Sequence, residues 1–206
     1  MTPKIKICGI QYEKEIQMIN NYPIDYIGFV FAPSKRHVTP DKAKILISSL
    51  RKNIKTVGVF VNESSKHINH IVSHCNLDII QLHGNENDDF CTQFIKPIWK
   101  SISIKNAASF DLINHYTTPQ GFLLDASLPR LAGGTGTTFD WTLSTGFSQG
   151  HFIILAGGLN AENIRSAINI VRPHVIDVSS GVERNNMKCE KQIDTFVRRV
   201  KNHEIK

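Results

Sequence analysis

The sequence predicts an α/β protein, specifically a single-domain (β/α)8 TIM barrel, from three observations. Eight short apolar runs recur along the 206 residues, about 20 to 30 residues apart, as successive strand–helix units require. Polar stretches of helical length lie between these runs. The last two runs end in small residues, Gly157-Gly158 and Ser179-Ser180-Gly181, a pattern typical of the phosphate site that such barrels build after strands 7 and 8.

The eight apolar runs are the predicted strands. Most are apolar along nearly their whole length, as expected for a parallel sheet that is buried on both faces. An open, doubly wound sheet would accommodate some of these units, but eight regular repeats favour a closed barrel. The predicted strands are Lys4–Cys8, Tyr26–Phe31, Thr56–Val61, Asp78–Leu82, Ile98–Ile102, Gly121–Asp125, Phe152–Ala156 and Val175–Ser179.

Four amphipathic segments between the strands are the clearest predicted helices. In the last of them the apolar residues recur at helical spacing, so they share one face. Asn160 precedes that segment and is predicted to be its N-cap. The four helices are expected at Glu13–Ile19, Asp41–Leu50, Ser65–Ser73 and Ala161–Val171.

The composition is that of an ordinary globular protein, with 41% hydrophobic and 20% charged residues. No linker or low-complexity stretch divides the chain, so one barrel domain is expected over residues 1–206. The net charge of +6 favours an anionic substrate. Because the lysines are scattered rather than clustered in a stripe, no nucleic-acid partner is expected.

Neither a membrane segment nor a secretion signal is recognisable. No apolar run approaches the roughly 18 residues of a membrane span, and the first residues lack the apolar region of a signal peptide. We therefore expect a cytoplasmic protein with no membrane partner. The four cysteines are widely spaced, so free thiols are expected at Cys8, Cys75, Cys91 and Cys189,.

A histidine cluster suggests a metal site at first sight. The spacing of His67, His70 and His74 would place three imidazoles on one helix face. That helix lies outside the predicted barrel, far from the strand ends where barrel enzymes hold their active sites. No metal site is expected.

Two reactive residues stand at predicted strand ends. Cys8 ends strand 1; the plain alternative is a small buried hydrophobe, but a nearby helix N-terminus would lower the pKa of its thiol. Asp125 ends strand 6 and is either a cap for the next loop or an acid at the barrel mouth. Opposite a thiolate, Asp125 would complete an acid–base pair.

Other strand ends carry candidate ligand contacts. Arg36 follows strand 2 and could hold a carboxylate or phosphate, or be a solvated charge. Asn62, after strand 3, is as suitable for a helix cap as for a ligand contact. His83, after strand 4, either contacts substrate or satisfies a loop carbonyl. The segment Gly133–Gly136 has the glycines of a phosphate-approaching loop or of a hinge.

Taken in order, segments at these strand ends resemble the phosphoribosylanthranilate isomerase family of tryptophan biosynthesis, almost from end to end. Each segment alone is a weak signal, and the ordered set is specific. The segments are residues 6–10 (KICGI), 28–31 (GFVF), 34–36 (SKR), 58–62 (GVFVN), 81–84 (QLHG), 124–125 (LD), 133–136 (GGTG), 139–141 (FDW), 156–160 (AGGLN) and 177–183 (DVSSGVE).

The resemblance implies a cofactor-free Amadori rearrangement of N-(5-phosphoribosyl)anthranilate to 1-(2-carboxyphenylamino)-1-deoxyribulose 5-phosphate. It implies that Asp125 is the general acid at the ribose ring oxygen and that Cys8 is the general base at C2. It also implies substrate contacts from Arg36, to the anthranilate carboxylate, and from His83 and Asp177. Phosphate-binding backbone is implied at Gly134, Gly136, Gly157, Gly158, Ser180 and Gly181. A monomer or homodimer is expected.

One departure from the family pattern lies near the end of the chain. The family usually has Lys-Asp before the last helix, whereas this chain has Lys188-Cys189. Cysteine is a poor N-cap, so the start of that helix is expected to be weaker by about 1 kcal/mol.

Three other functions are weighed against the isomerase. Indole-glycerol-phosphate synthase, from the same pathway, relies on lysine and glutamate at strand ends, where this chain has Cys8 and Asp125. A metal-dependent epimerase would need several converging ligands, and only His83 lies at the rim. A barrel that binds a phosphorylated ligand without turnover is disfavoured by the intact Cys8 and Asp125, and a thiol that is oxidised or buried without access would favour it.

Overall fold

A computed structural model describes residues 2–125 and 140–202. Its eight parallel strands form one closed barrel in chain order, and β1 pairs with both β2 and β8. The predicted (β/α)8 barrel is confirmed, and the open doubly wound sheet is excluded. The strands are β1 Lys4–Cys8, β2 Tyr26–Val30, β3 Lys55–Phe60, β4 Ile79–Leu82, β5 Ile98–Ser103, β6 Gly121–Asp125, β7 Ile153–Leu155 and β8 Val175–Val178.

The connections between strands are less regular than the strands. Six α-helices are described: α1 Glu13–Ile19, α2 Pro40–Ser48, α3 Ser65–Cys75, α4 Asp88–Cys91, α5 Ile164–Val171 and α6 Glu190–Lys201. Short 3₁₀ helices lie at Ala107–His115, Trp141–Ser144, Phe147–Gln149 and Ser180–Val182. After β8 the chain forms a small hairpin of β9 Glu183–Arg184 and β10 Met187–Lys188. None of the described helices is long and apolar enough to cross a membrane.

Helix α5 begins three residues later than predicted, and the predicted N-cap is wrong. The side chain of Asn160 accepts hydrogen bonds from the N–H groups of Glu162 and Asn163. It therefore caps a turn that precedes the helix. Asn163 is the residue before the first helical position. Its side-chain amide nitrogen Nδ2 donates to the backbone carbonyl of Gly158 at 2.9 Å. These bonds hold the turn in place and delay the helix to Ile164.

The barrel has two apolar regions because successive strand residues point to opposite faces. The larger region packs the outward side chains, such as Ile5 and Ile7 of β1, against the helices. The smaller region fills the barrel interior with residues from seven strands: Tyr26, Val57, Ile79, Trp99, Leu123, Ile154, Ala156 and Val175. On β1 the interior positions are therefore the even-numbered ones, which include Lys6 and Cys8.

Candidate active site

A cavity lies at the carboxyl ends of the strands, directly above the interior apolar region. The strand alternation aims polar side chains into it, because each follows an interior residue by two positions: Asp125 follows Leu123, and Asp177 follows Val175,. The cavity brings together most of the residues predicted from the sequence, namely Cys8, Arg36, His83, Asp125, Gly157, Gly158, Asp177 and Ser180. Candidate acid, base and binding groups therefore share one space.

Cys8 lies beside a buried ion pair that sequence reasoning missed. The ammonium of Lys6, with no exposed surface, donates to Asp177 Oδ2 at 2.7 Å. A Cβ atom added to Gly28 would lie 2.7 Å from Cys8 Sγ and 3.2 Å from Lys6 Nζ. The thiol and the ammonium therefore lie over the same glycine, and a side chain at position 28 would displace them.

The electrostatics of Cys8 differ from the sequence-based expectation of a pKa lowered by a helix. Burial raises the pKa of the Cys8 thiol, and the Lys6 ammonium opposes that rise without cancelling it. Helix α1 begins only at Glu13, too far along the chain for its N-terminus to act on the thiol, because a helix end acts over about one turn. Burial lowers the pKa of Lys6, but Asp177 and Cys8 together outweigh this effect and the net pKa is raised, so Lys6 is charged.

Arg36 is held by a carboxylate of the chain itself. Its Nε and Nη2 donate to Oε1 and Oε2 of Glu183 at 2.7 and 2.8 Å. The ammonium of Lys188 donates to the same Oε1 at 2.6 Å. Burial alone would raise the pKa of Glu183, but these two cations outweigh it and lower the pKa to about 2. Arg36 is thereby fixed at the cavity wall, and its Nη1 makes no hydrogen bond to a described residue.

Lys188 connects this cluster to the strand that bears Cys8. Its ammonium lies 3.3 Å from the hydroxyl of Ser179, which donates to the carbonyl of Cys8 at 2.9 Å. Burial lowers the pKa of Lys188, and Glu183 opposes the effect. The β9–β10 hairpin is the element that carries both Glu183 and Lys188 to the cavity wall.

Asp125 faces the imidazole of His83. The distance between His83 Nε2 and Asp125 Oδ2 is 3.5 Å. On its other side, His83 Nδ1 lies 3.1 Å from Nε2 of Gln81. Within residues 2–125 and 140–202 the ring of His83 makes no hydrogen bond to a loop carbonyl, which was the alternative from the sequence. Its ring lies between an amide and a carboxyl group in the cavity.

The two glycine-bearing segments meet at the cavity rim. Gly157 and Gly158 have φ values of 83° and 62°, which favour glycine, and neither N–H donates to the backbone of a described residue. A Cβ atom at Gly181 would overlap the carbonyl oxygen of Leu159, so this close approach requires glycine. The two segments therefore bring backbone N–H groups together at the rim of the cavity. The other predicted phosphate contacts, Gly134 and Gly136, lie outside the described residues.

Some candidates lie elsewhere. His74 pairs with Asp41 at 2.8 Å, and no group of three metal-binding side chains is found within residues 2–125 and 140–202. Asn62 neither caps a helix nor lines the cavity; its side chain accepts from the N–H of Asn85 at 2.7 Å. Ser64 is the N-cap of α3 instead. All four cysteines are free thiols.

Two residues missed by sequence reasoning share a signal. Lys6 and Gln81 are each a polar residue inside an otherwise apolar strand, as is Asp177, which was predicted. In a barrel strand such a residue must lie in the interior or be paired, because the outer face packs against helices. Glu183 and Lys188 carried no comparable signal, since the hairpin that positions them was not predicted.

The fold and site define the class: this is a (β/α)8-barrel protein whose cavity lies at the carboxyl ends of the strands, as in barrel enzymes,. A model of the N-(5'phosphoribosyl)anthranilate (PRA) isomerase family matches residues 5–199. The chain belongs to this family.

Individual relatives and solved structures are also members of this isomerase family. The N-(5'-phosphoribosyl)anthranilate isomerase of Moorella thermoacetica is 43% identical over 207 residues, which cover 98% of this chain and 93% of the relative. The crystal structure of phosphoribosyl anthranilate isomerase from Thermotoga maritima superimposes with a TM-score of 0.90 at 36% identity, covering 97% and 99% of the two chains. A crystal structure of this isomerase in complex with reduced 1-(o-carboxyphenylamino)-1-deoxyribulose 5-phosphate gives a TM-score of 0.87 at 34% identity, with the same coverage.

Proposed function

We propose that this chain converts N-(5-phosphoribosyl)anthranilate to 1-(2-carboxyphenylamino)-1-deoxyribulose 5-phosphate in tryptophan biosynthesis, with Asp125 as general acid and Cys8 as general base. Family membership supports the reaction. The observation that supports the roles is the placement of both groups in one cavity, on β6 and β1 with β7 and β8 between them. Two groups on separated strands can reach different atoms of one substrate.

The first step requires an acid at the ribose ring oxygen. Protonated Asp125 gives its proton to that oxygen, the bond from the oxygen to C1 breaks, and the anilino nitrogen becomes a cationic imine. The carboxyl is 7% exposed, so little water competes for the proton. The His83 imidazole beside it can stabilise the carboxylate that remains.

The second step requires a base at C2. The cationic imine makes the C2 proton acidic, and the Cys8 thiolate accepts it, leaving a neutral enolamine that tautomerises to the ketose. Because burial raises the pKa of the Cys8 thiol, the resting group is a thiol. The positive charge of the imine and that of Lys6 both favour its ionisation in the complex.

Binding of the anthranilate end falls to Arg36. Glu183 accepts hydrogen bonds from two of its nitrogens and so holds the side chain in place. The third nitrogen, Nη1, is left to bind the substrate carboxylate. A guanidinium already fixed in place costs less entropy on binding. Oδ1 of Asp177 is a buried atom without a hydrogen-bond partner among the described residues. We propose that it accepts a hydrogen bond from a ribose hydroxyl.

The phosphate is proposed to bind the backbone donors of Gly157, Gly158, Ser180 and Gly181. Backbone N–H groups around glycines form concave sites for anions. A family member similar to this chain has been crystallised with a phosphorylated ligand, which supports a phosphate site in this fold. We also propose that Gly134 and Gly136 contact the phosphate. No cofactor or metal is required by these steps, and a monomer or homodimer in the cytoplasm stays a prediction.

The proposal is tested by following the loss of phosphoribosylanthranilate fluorescence, with the substrate generated in situ. Enzyme-dependent loss, with the ketose phosphate identified by mass spectrometry, is the expected result. Retention of the fluorescent compound in a bound but unchanged state would contradict it and favour a non-catalytic binding protein.

A further inference from the structure

Gln81 is a buried amide in the cavity that none of the steps above uses. It lies in β4, between Val59 of β3 and Trp99 of β5, and is 2% exposed. Residues two apart in a strand share a face, so Gln81 and His83 both point into the barrel. Burying an amide is costly unless it makes hydrogen bonds. Among the described residues, Nε2 of Gln81 contacts His83 and Oε1 has no hydrogen-bond partner, so the contact with His83 indicates its role.

That contact fixes how the proton is placed on His83. Nε2 of Gln81 lies 3.1 Å from Nδ1 of His83, and an amide nitrogen can only donate a hydrogen bond. Nδ1 must then accept, which leaves the proton of the neutral ring on Nε2. Nε2 is the atom that faces Oδ2 of Asp125 at 3.5 Å. With the proton on Nε2, the donor of the ring is the nitrogen nearest the carboxyl group.

The charged groups near His83 lie on β5 and around the cavity. The ammonium of Lys100, on the neighbouring strand β5, donates to the carbonyls of Leu82 and Gly84 at 3.5 and 2.7 Å, on either side of His83 in the chain. Glu86 neutralises that ammonium at 3.0 Å. The other ionisable groups of the cavity are Cys8, Arg36, Asp125 and Asp177. Protonating Nδ1 would turn its hydrogen toward the amide hydrogens of Gln81.

We propose that Gln81 is a positioning residue, which selects the Nε2–H tautomer of His83 and thereby orients the carboxyl group of Asp125 for proton transfer. This inference rests on the proposed role of Asp125 as general acid. A neutral N–H donor at Oδ2 stabilises the carboxylate that forms when the proton leaves. An imidazolium at the same place would favour loss of that proton before substrate binds, because an adjacent positive charge stabilises the ionised carboxyl.

The tautomer can be observed directly in the free protein. Nitrogen-15 spectra of histidine-labelled protein distinguish a protonated from an unprotonated ring nitrogen, and a His83→Gln variant identifies the His83 signals. We expect Nε2–H in the wild type. In Gln81→Glu the carboxylate would accept from Nδ1–H, so a shift of the ring proton to Nδ1 is expected. A wild-type ring protonated on Nδ1, or the same tautomer in both proteins, would overturn the inference.

Kinetics test the consequence, with Gln81→Met as a second variant that preserves the volume of the side chain. We expect kcat to fall roughly 10- to 100-fold, the range seen when the partner that orients a functional histidine is removed, while KM changes little. Gln93→Glu, at an exposed position, is the matched control and should behave as wild type. A raised KM with unchanged kcat would show that Gln81 contacts substrate instead, and would overturn the positioning role.

The two proposals fail in different ways. If Asp125→Asn is as active as the wild type, the proposed acid is wrong, although the spectra can still show the Nε2–H tautomer. If Asp125→Asn is inactive but Gln81→Met retains wild-type kcat, the acid stands and the role of Gln81 is overturned.

Discussion

Cys8 is the residue whose chemistry depends most on its surroundings. Burial raises the pKa of the thiol, and Lys6 is the largest opposing influence. The ammonium is itself kept charged by Asp177, its ion-pair partner at 2.7 Å. A general base must be unprotonated, and kcat/KM reports the groups of the free enzyme. We therefore expect kcat/KM to rise with pH through the pKa of this thiol, which lies above the usual value of 9.0.

Lys6→Met should make the Cys8 thiol harder to ionise. Removing the ammonium leaves burial and the Asp177 carboxylate, which raise the pKa of the thiol, opposed only by the smaller effect of Lys188. We expect the pH at which Cys8 is half-maximally alkylated by iodoacetamide to move upward by at least about one unit, since a lost charge partner shifts a pKa by 1–3 units. Alkylation is quantified by mass spectrometry of the Cys8 peptide.

Lys4→Met is the matched control for this measurement. Lys4 lies on the same strand, two residues away, and is exposed, so its charge is screened by water. An unchanged alkylation profile is expected for this variant. Equal profiles for Lys6→Met and the wild type would refute the influence of Lys6 on the thiol.

At the scale of elements, the last helix begins without a side-chain cap, and its expected weaker start stays a prediction. Cys189 is the N-cap residue of α6, and its side chain makes no capping hydrogen bond. The other helix ends show what is missing: Thr39 and Ser64 accept from the N–H groups of Lys42 and His67. Helix α6 instead relies on its buried apolar face, which includes Ile193 and Phe196.

Cys189→Asp should therefore stabilise the protein. An aspartate at the N-cap satisfies a free helix N–H and places negative charge at the positive end of the helix dipole. We expect the free energy of unfolding to rise by about 1 kcal/mol, measured by urea denaturation. Cys189→Ala supplies no cap and is expected to stay near the wild-type value. A loss of stability in Cys189→Asp would contradict the capping argument.

The strands could be predicted from the sequence more closely than their connections. Apolar runs such as Lys4–Cys8 and Gly121–Asp125 coincide with β1 and β6, because an interior parallel strand requires an apolar run of limited length. The connection after β5 is a 3₁₀ helix, Ala107–His115. Its conformation depends on packing such as that of Phe110 against Phe147, with ring centroids 4.6 Å apart, a contact between distant segments that local patterns do not reveal.

At the scale of the whole molecule, Glu183 links the loop after β2 to the hairpin after β8. It accepts from Arg36 and Lys188, 147 and 5 residues away along the chain. Its folded-state pKa of about 2 lies below the usual value of 4.5. The group therefore contributes stability that is fully present above pH 4.5, and this stability is lost as the pH falls toward 2.

Glu183→Gln should lower the free energy of unfolding near neutral pH by roughly 3 to 5 kcal/mol, because two buried cations lose their counter-charge. It should also reduce the loss of stability between pH 4.5 and 2 by up to about 3 kcal/mol. Chemical denaturation across this pH range measures both effects. The control is Glu162→Gln, at an exposed position. A Glu183→Gln profile parallel to the wild type would show that this carboxylate does not carry the acid sensitivity.

The location of the site could be predicted from the sequence, and its charge network could not. Cys8 and Asp125 stand at strand ends, and a barrel gathers strand ends into one mouth. The partners of Arg36 depend on a hairpin of two-residue strands, too short to give a periodic signal. The raised pKa of Cys8 reflects burial, which depends on the closed barrel rather than on neighbours in the chain.

The most direct test of the proposed chemistry compares turnover of phosphoribosylanthranilate by the wild type, Cys8→Ala and Asp125→Asn, with circular dichroism to confirm folding. General acid and base catalysis each contribute roughly 10²- to 10⁴-fold, so each variant is expected to lose at least that factor in kcat while remaining folded. A folded variant of either kind with kcat within about tenfold of the wild type would contradict the assigned acid–base pair.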